Sequence, residues 1–486
     1  MHRIIGLVLI LALVLVAANA TAQTAGQHRG IFVGTSNWLV GTTVNSAVGL
    51  FDTKNTFQTW PTSASGPWPH WGMMWGAAQD TDNQGVLLYY LNGWVVTITG
   101  NPPTTIINPI SQGVVRFEPL LPGITSTLWS APAATAFPAN MTDFTVDSDG
   151  DLVSYDTNPN NPSMEQAVRF DRFNNRWVGT TLSVRSSLAA NGGLGGLRWD
   201  KRKGGFWMSS ARHTIGTTLQ TLVRFSWDMS SSTLVATGGS PISANLGGCL
   251  LENGDWVSSS YTGYLYHEVK SGSSLWTSGP LSSSWVNLDV GAEKYAAAGR
   301  GYYAALVDRT TGNHTIGYFD ATTTPHTLTT LAAGVALPGV GSGFLAEALP
   351  LYNQDLVTQR TGKGTWDILV NPDPLGSQFL QGKDYLIVAS LSGAMPIKLP
   401  SGRQLFITPD QLTLLTVNGP LPPFFTGSVG KLSPFGKAAA KLNLAALGTN
   451  ANGVVINFAG AIFDSTAPDG IAWVLEPCAL VIEVLP

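Results

Sequence analysis

Residues 166–181 read QAVRFDRFNNRWVGTT, and this stretch decides the fold. Apolar and polar side chains alternate through QAVRF, a polar turn DRFNN follows, and alternation resumes in RWVGTT. A period of two with β-branched and aromatic residues predicts two short antiparallel strands. Upstream, the stretch TVDSDGDLVSY from Thr145 predicts a second strand pair, with Asp-Gly as the hairpin signal. Four short strands are therefore expected in a unit of about fifty residues.

Six further stretches of the same form occur along the chain, 42 to 64 residues apart. They read GLFDTKNTFQTW (from Gly49), GVVRFEPLLPGITSTLWS (Gly113), TLVRFSWDMSSSTLVATG (Thr221), GYLYHEVKSGSSLWTSG (Gly263), TIGYFDATTTPHTLTTL (Thr315) and GTWDILVNPDPLGSQFL (Gly364). Four strands per repeat is the size of a propeller blade. Seven copies predict an all-β fold in which residues 23–381 form a seven-bladed β-propeller.

These repeats resemble the diverged secreted propellers grouped with NHL and kelch-type repeats, although no kelch double glycine recurs in every repeat. The resemblance implies that the first strand of each blade lines a central channel. It also implies that the connections leading into those strands lie on the face where propellers bind ligands. No activity follows from it, because one fold supports many functions.

The predicted connections share a polar position, which is filled by His or Asn in six of seven cases. These residues are His28, His70, Asn140, Asn191, Asn245 and Asn287. We expect them to form a polar ring at the channel mouth. The alternative is purely structural, since Asn suits the backbone at the start of a strand.

One connection also carries aromatic residues, in SGPWPHWGMMWG at positions 65–76. Trp68, His70 and Trp71 lie together there, in a segment stiffened by two prolines. An aromatic surface with nearby Asn and His groups suits an uncharged polar ligand such as a glycan. Packing between blades is the alternative role for both tryptophans.

Catalysis and metal binding have weaker signals. Asp143 and Asp289 fall near the predicted ring, but their spacing matches no catalytic motif, so capping or solvated carboxylates are favoured. The acidic stretches 147–151 and 80–83 resemble fragments of calcium loops and lack the Glu that an EF-hand requires at its twelfth position. Turn chemistry explains both. We therefore predict no catalytic residue, metal or cofactor.

Composition limits the partners. Only 12% of residues are charged and the formal net charge is −4, which argues against nucleic acid or an anionic membrane surface. Cys249 and Cys478 are both flanked by apolar residues, so buried free thiols are favoured over a bridge.

Residues 1–22 predict a signal peptide. Arg3 precedes a short apolar run that ends in small-x-small cleavage patterns. An uncleaved anchor is the alternative, and no later segment is apolar enough to span a bilayer. We therefore expect a secreted bacterial protein with no membrane span after cleavage.

Residues 382–486 lack the repeat and predict a β-sandwich of short strands. The stretch from GKDYLIV through QLTLLTV is interpreted as strands, and GKAAAKLNL as a strand rather than a helix. The segment resembles a C-terminal module of many secreted planctomycete proteins in YLIVASLSGAMP, LFITPDQL and FTGSVGKLSPFGKAAAKLNL. That resemblance implies a secreted context and no activity.

Together these patterns predict a secreted binding or surface-assembly protein whose partner is a glycan or another surface protein. A carbohydrate-active hydrolase or lyase using the same channel mouth is one alternative. A purely structural extracellular component is another.

Overall fold

The computed structural model describes most of the strands and many of the turns. The described residues are 28–37, 45–52, 57–61, 73–80, 85–99, 104–118, 125–132, 141–156, 166–183, 196–200, 204–210, 220–238, 245–260, 265–280, 285–292, 296–308, 314–335, 345–352, 355–370, 380–400 and 404–482. These residues form strands with one short α-helix, which confirms the predicted all-β class. Among them, no helix is long and apolar enough to cross a membrane.

Six four-stranded antiparallel sheets in this part of the chain are propeller blades, each built outward from an innermost strand. From the innermost strand outward they are blade 1, β24 (Leu345–Tyr352), β1 (His28–Asn37), β2 (Asn45–Asp52) and β3 (Phe57–Pro61); blade 2, β4 (Met73–Gln79), β5 (Val86–Thr99), β6 (Thr104–Phe117) and β7 (Thr125–Pro132); blade 3, β8 (Met141–Val146), β9 (Leu152–Asp156), β10 (Gln166–Asp171) and β11 (Arg176–Ser183); blade 4, β12 (Leu197–Trp199), β13 (Phe206–Ser210), β14 (Gln220–Phe225) and β15 (Ser232–Gly238); blade 5, β16 (Asn245–Leu250), β17 (Trp256–Ser260), β18 (Leu265–Val269) and β19 (Trp276–Pro280); and blade 6, β20 (Trp285–Ala292), β21 (Gly301–Asp308), β22 (His314–Asp320) and β23 (Thr327–Val335).

The innermost strands contact one another in a closed ring, in the order β4, β8, β12, β16, β20, β24 and back to β4. Blade 1 closes this ring by pairing the last propeller strand with the first, with Leu349 opposite Phe32. We call the rim where the innermost strands begin the mouth face, and the rim where they end the turn face.

The predicted count of seven blades is not confirmed, because the described residues form six. Six of the seven repeat copies are the two outer strands of a blade; QAVRFDRFNNRWVGTT, for example, spans β10 and β11. In the seventh copy, Thr365–Val370 pairs with Ala438–Asn443 in the C-terminal domain. The alternation of apolar and polar residues shows only that one face of a strand is buried. It does not distinguish a strand of a propeller blade from a strand of a β-sandwich.

The alternation arises because large side chains fill the spaces between blades. Phe206 and Phe225 of blade 4 share a buried cluster with Val153 of blade 3. Tyr266 of blade 5 and Tyr302 of blade 6 belong to another. Burial of each such side chain stabilises the folded protein by about 2 kcal/mol. The stability of every blade therefore depends on its packing against the neighbouring blades.

Two four-stranded sheets form the C-terminal domain. The first contains β25 (Leu356–Gly362), β26 (Thr365–Val370), β32 (Ala438–Asn443) and β30 (Phe425–Thr426); the second contains β31 (Val429–Lys431), β27 (Asp384–Ser390), β33 (Val455–Phe463) and β34 (Ile471–Val481). A hairpin of β28 (Pro396–Lys398) and β29 (Gln404–Phe406), the helix α1 (Gln411–Val417) and 3-10 turns at Ala445–Ala451 and Pro468–Gly470 complete this domain; a further 3-10 turn at Ala297–Gly299 belongs to the propeller.

Residues of both sheets share one core, including Trp366 and Ile368 from the first and Ile387 and Phe458 from the second. This is a β-sandwich. The predicted boundary at residues 381 and 382 lies too late, because the sandwich already includes β25 and β26. GKAAAKLNL contains strand β32, as predicted. QLTLLTV is a helix rather than a strand, because the preceding Asp410 caps its first turn.

The sandwich packs on the turn face of blades 3 and 4. The Trp366 indole donates a hydrogen bond to Asp149 over 3.1 Å, and the Val481 amide donates to the Ser148 hydroxyl over 3.2 Å. Both partners lie in the turn between β8 and β9. Gly204, in the next blade, lies directly beside Val481.

Candidate functional site

Most of the predicted mouth residues lie outside the described residues. These are Trp68, His70, Trp71, Asn140 and Asn191. Asn245 is the first residue of β16 and Asn287 is the third of β20, so both lie on innermost strands near the mouth. His28 opens β1, the second strand of blade 1, opposite Tyr352 at the end of β24. Its predicted place in the ring is wrong, since it lies at the turn face.

Four innermost strands contain a β-bulge near the mouth. The register shifts lie between Met74 and Gly76, Met141 and Phe144, Asn245 and Gly248, and Asn287 and Asp289. Bulges at a barrel rim redirect side chains and end regular pairing. Hydropathy patterns did not predict them. Two of the predicted polar residues, Asn245 and Asn287, directly precede such a bulge.

Asp143 connects three innermost strands close to the mouth. Its carboxylate accepts hydrogen bonds from the amides of Phe144 (2.8 Å) and Leu197 (2.9 Å). The Arg198 guanidinium donates to the same carboxylate over 2.6 Å. A Cβ atom on Gly76 of β4 would lie only 3.3 Å from it. Asp143 therefore links blades 3 and 4 as a charge-paired structural group and lies close to the backbone of blade 2, which agrees with its interpretation as a capping carboxylate.

Glycines let the innermost strands of blades 4 and 5 touch. A Cβ atom on Gly196 would lie 2.4 Å from the Gly248 amide, and a Cβ on Gly248 would lie 2.4 Å from the Trp256 ring. Real Cβ atoms do not approach this closely, so neither position accepts a larger residue without a shift. The wall of the channel is closed here by backbone packed against backbone.

Behind this wall lies a row of buried polar groups. Ser258 and His267 are paired across strands β17 and β18, and both are fully buried. Ser258 Oγ, His267 Nε2 and the Trp256 indole nitrogen have no hydrogen-bond partner, whereas His267 Nδ1 lies 2.7 Å from the hydroxyl of Ser278. Burial lowers the pKa of His267 to about 4. The imidazole is therefore neutral at pH 7.

Arginines on the turn face tie the blades together electrostatically. Asp80 of blade 2 pairs with Arg116 of its own blade (3.0 Å) and with Arg172 of blade 3 (2.6 Å). Arg300 of blade 6 pairs with two carboxylates of blade 5, those of Asp255 (3.1 Å) and Glu268. Buried pairs of this kind depend on both partners, because a single remaining charge is costly.

A buried carboxyl pair shapes the turn between β8 and β9. Asp147 accepts hydrogen bonds from the amides of Asp149 (2.9 Å) and Asp151 (3.0 Å) and lies 3.1 Å from Arg169. Burial and the charge of Asp147 raise the pKa of Asp151 to about 7. The oxygens hold the turn together, as predicted for turn chemistry. Among the described residues, no group of three or more His, Cys, Asp or Glu could hold a metal ion.

A second buried polar cluster lies between blades 5 and 6. The His326 ring stacks on Tyr266 with its centroid at 3.6 Å, and its Nδ1 lies 2.9 Å from the Tyr302 hydroxyl. Burial raises the pKa of Tyr302 well above its usual value. Cys249 lies buried in the same interface, and no disulfide joins it to Cys478.

Comparison with known proteins adds a likeness in strand arrangement. No protein-family model matches the chain, and no curated protein matches it. Solved structures similar to it include a nidogen/laminin complex (8% identity, 66% of this chain and 97% of that chain, TM-score 0.42). The Swd1 β-propeller domain of Myceliophteria thermophila is another (8%, 70% and 95%, TM-score 0.37), as is streptogramin B lyase (8%, 72% and 93%, TM-score 0.35). At these values no functional property is transferred, and the propeller assignment rests on the strand pairing.

Proposed function

We propose that this is a secreted binding or scaffold protein that holds an uncharged, hydroxyl-rich ligand such as a glycan at its mouth face. One observation carries the proposal. Strand β4, which begins at Met73, is an innermost strand of the ring. Trp68, His70 and Trp71 precede this strand in the sequence, with Trp71 two residues before Met73, so they belong to the connection that enters the strand from the mouth side.

The position of the sandwich also supports a ligand site on the mouth face. Its contacts reach Ser148 and Asp149, just beyond the turn end of β8. The predicted site residue Asn140 precedes the other end of the strand. Six residues of extended chain place the two ends roughly 17 Å apart. A ligand at the mouth therefore does not compete with the sandwich for blade 3.

The electrostatics of the wall favour a neutral ligand. Asp143, a carboxylate near the mouth, is neutralised by Arg198 and by two backbone amides. Glycines line the neighbouring contact between blades 4 and 5. Neutral polar ligands are bound by aromatic faces and a few well-placed hydrogen bonds rather than by charge.

The test is a glycan array probed with the wild-type protein and with a Trp68→Ala, His70→Ala double variant. Phe173→Ala is the matched control, because Phe173 is an exposed aromatic residue on the turn face. We expect the wild type and the control to bind and the double variant to lose binding. Absence of binding by the wild type would contradict the proposal and favour a structural role. Shortened glycans among the bound products would replace it with the hydrolase or lyase alternative.

A further inference from the structure

The turn between β8 and β9 accepts three hydrogen bonds from the sandwich. Ser148 accepts two of them, at its carbonyl from the Thr358 hydroxyl and at its hydroxyl from the Val481 amide (3.2 Å). Asp149 accepts the third, from the Trp366 indole over 3.1 Å. Thr358 and Trp366 belong to one sheet of the sandwich and Val481 to the other, so the turn is bonded to both sheets. We call residues 147–151 the docking turn.

Two buried carboxyl groups determine the shape of the docking turn. Asp147 and Asp151 are its first and last residues, and both are buried. The Asp147 carboxylate accepts hydrogen bonds from the amides of Asp149 (2.9 Å) and Asp151 (3.0 Å). It therefore fixes the backbone of Asp149, which is itself bonded to the sandwich. Gly150 completes the turn with a φ of 84°, which favours glycine.

Arg169 of β10 connects the carboxyl pair to a second contact with the sandwich. Its guanidinium lies 3.1 Å from Asp147 and donates a hydrogen bond to the Trp227 carbonyl over 2.7 Å. Trp227 lies in the turn between β14 and β15, beside Gly453 of the sandwich, where a Cβ atom would come within 3.1 Å of the indole nitrogen. A change of charge in the carboxyl pair therefore acts on both contacts.

Burial and neighbouring charge both oppose the ionisation of Asp151. Burial is the larger cause and the charge of Asp147 adds to it, and together they raise the pKa of Asp151 to about 7. Arg172 donates its amide to Asp151 over 2.9 Å, whereas its guanidinium is bonded to Asp80 in blade 2. The charged residues that face Asp151 from the surrounding propeller elements are Asp147, Arg169, Asp171 and Arg172.

The sandwich covers this part of the propeller. Its two side-chain donors to the docking turn, those of Thr358 and Trp366, are buried at 4% and 0% exposure. The Arg360 guanidinium of the sandwich lies over the ring of Phe173, 5.6 Å from its centre, in the adjoining turn between β10 and β11. Removal of the sandwich would admit water to the docking turn, and a carboxyl group in water returns toward its ordinary pKa.

The docked form therefore binds a proton at Asp151 more tightly than a form with the sandwich removed. By linkage, protonation of Asp151 favours docking and docking favours protonation to the same extent. Docking is consequently strongest in acid. It weakens as the pH rises from about 4, the ordinary pKa of an aspartate, toward the raised value of the docked form.

We propose that the docking turn is a pH-operated joint, which holds the sandwich on the propeller in acidic solution and releases it as the solution becomes alkaline. The released sandwich stays tethered, because three residues separate the end of β24 at Tyr352 from the start of β25 at Leu356. This inference is independent of any ligand at the mouth face.

Small-angle X-ray scattering of the full-length chain from pH 5 to pH 8.5 tests the proposal, since release of the sandwich raises the radius of gyration. The test variant is Asp151→Asn, which keeps the shape of the carboxyl group and removes its charge. Asp320→Asn is the matched control. Asp320 lies in the turn between β22 and β23, and hydrogen bonds from Thr322 lower its pKa, so its charge does not change over the series.

We expect the ratio of docked to released protein to fall by roughly tenfold or more from pH 5 to pH 8.5 in the wild type and in the control. Asp151→Asn should stay docked throughout. Circular dichroism should not change with pH in any of the three proteins, because both domains remain folded.

Three results would overturn the proposal. The first is a wild type whose radius of gyration is constant over the series. The second is a folded Asp151→Asn that expands like the wild type. The third is an expansion that coincides with loss of the circular dichroism signal, because the change would then be unfolding. If Asp151→Asn does not fold, Ser148→Ala takes its place. It removes the hydroxyl that accepts the Val481 amide, so release should occur at a lower pH than in the wild type, and an unchanged midpoint would contradict the assigned joint.

Discussion

Replacing His267 with Gln should remove a pH-dependent part of the protein's stability. The ring is fully buried, and its Nδ1 lies 2.7 Å from the Ser278 hydroxyl. Burial disfavours the charged imidazolium, so the pKa of His267 falls from 6.5 to about 4. In the unfolded chain the ring is exposed and returns to its ordinary pKa.

The magnitude follows from that difference. Each pKa unit corresponds to about 1.4 kcal/mol, so protonation of His267 costs the folded state about 3 kcal/mol. Between pH 6.5 and pH 4 the unfolded chain binds more protons than the folded one. His267 therefore contributes stability that is fully present above pH 6.5 and is lost as the pH falls toward 4.

Urea unfolding at pH 7 and pH 4.5, followed by tryptophan fluorescence, measures this contribution. Other titrating groups act equally in the wild type and in His267→Gln, so the difference between the two proteins isolates His267. We expect the wild type to lose about 2–3 kcal/mol more than the variant on acidification. Equal losses in both proteins would refute the reasoning, because the ring would then titrate as an exposed group.

Two further predictions concern the turn face. Burial and the charge of Asp147 raise the pKa of Asp151 to about 7, so the contribution of Asp151 to stability should fall as the pH rises from about 4 to 7. This contribution opposes that of His267, so in the same urea assay Asp151→Asn should lose more stability than the wild type on acidification from pH 7 to pH 4.5. Arg172→Ala should lower the free energy of unfolding by about 2 kcal/mol, because it removes one of the two arginines from buried Asp80. Arg176→Ala, which changes a largely exposed arginine, should alter it by less than about 0.5 kcal/mol; equal effects of both substitutions would contradict the assigned pairing.

Local sequence patterns predicted many of the strands and turns of the fold. The copies that include RFDRFNNRW and YFDATTTPHTL predicted strand pairs of the blades correctly, since each blade presents large side chains to its neighbours and alternation records that burial. GKAAAKLNL likewise became strand β32 as predicted. The turn chemistry of residues 147–151 was also readable, because Asp oxygens bond amides within a few residues.

The pairing of strands that are far apart in the chain could not be predicted from local patterns. The blade number depended on whether Thr365–Val370 joined a seventh blade or met Ala438–Asn443 in the sandwich. Both arrangements place one face of that strand in a core, so the sequence pattern is identical. The helix at Gln411–Val417 was missed for a related reason: its threonines serve the edge of β27, and no local signal specifies that edge.

The same distinction between local and long-range features applies to the candidate sites. The sequence by itself determined the residue types near the mouth, the repeat that builds the propeller and the low charge of the surface, since these are properties of composition and local spacing. Only the tertiary structure decided that Asp143 is neutralised by Arg198 across two blades, that His267 is buried, and that leucines of α1 face outward. The physical reason is that burial and pairing depend on groups far apart in the chain, whose contacts the folded ring and sandwich create.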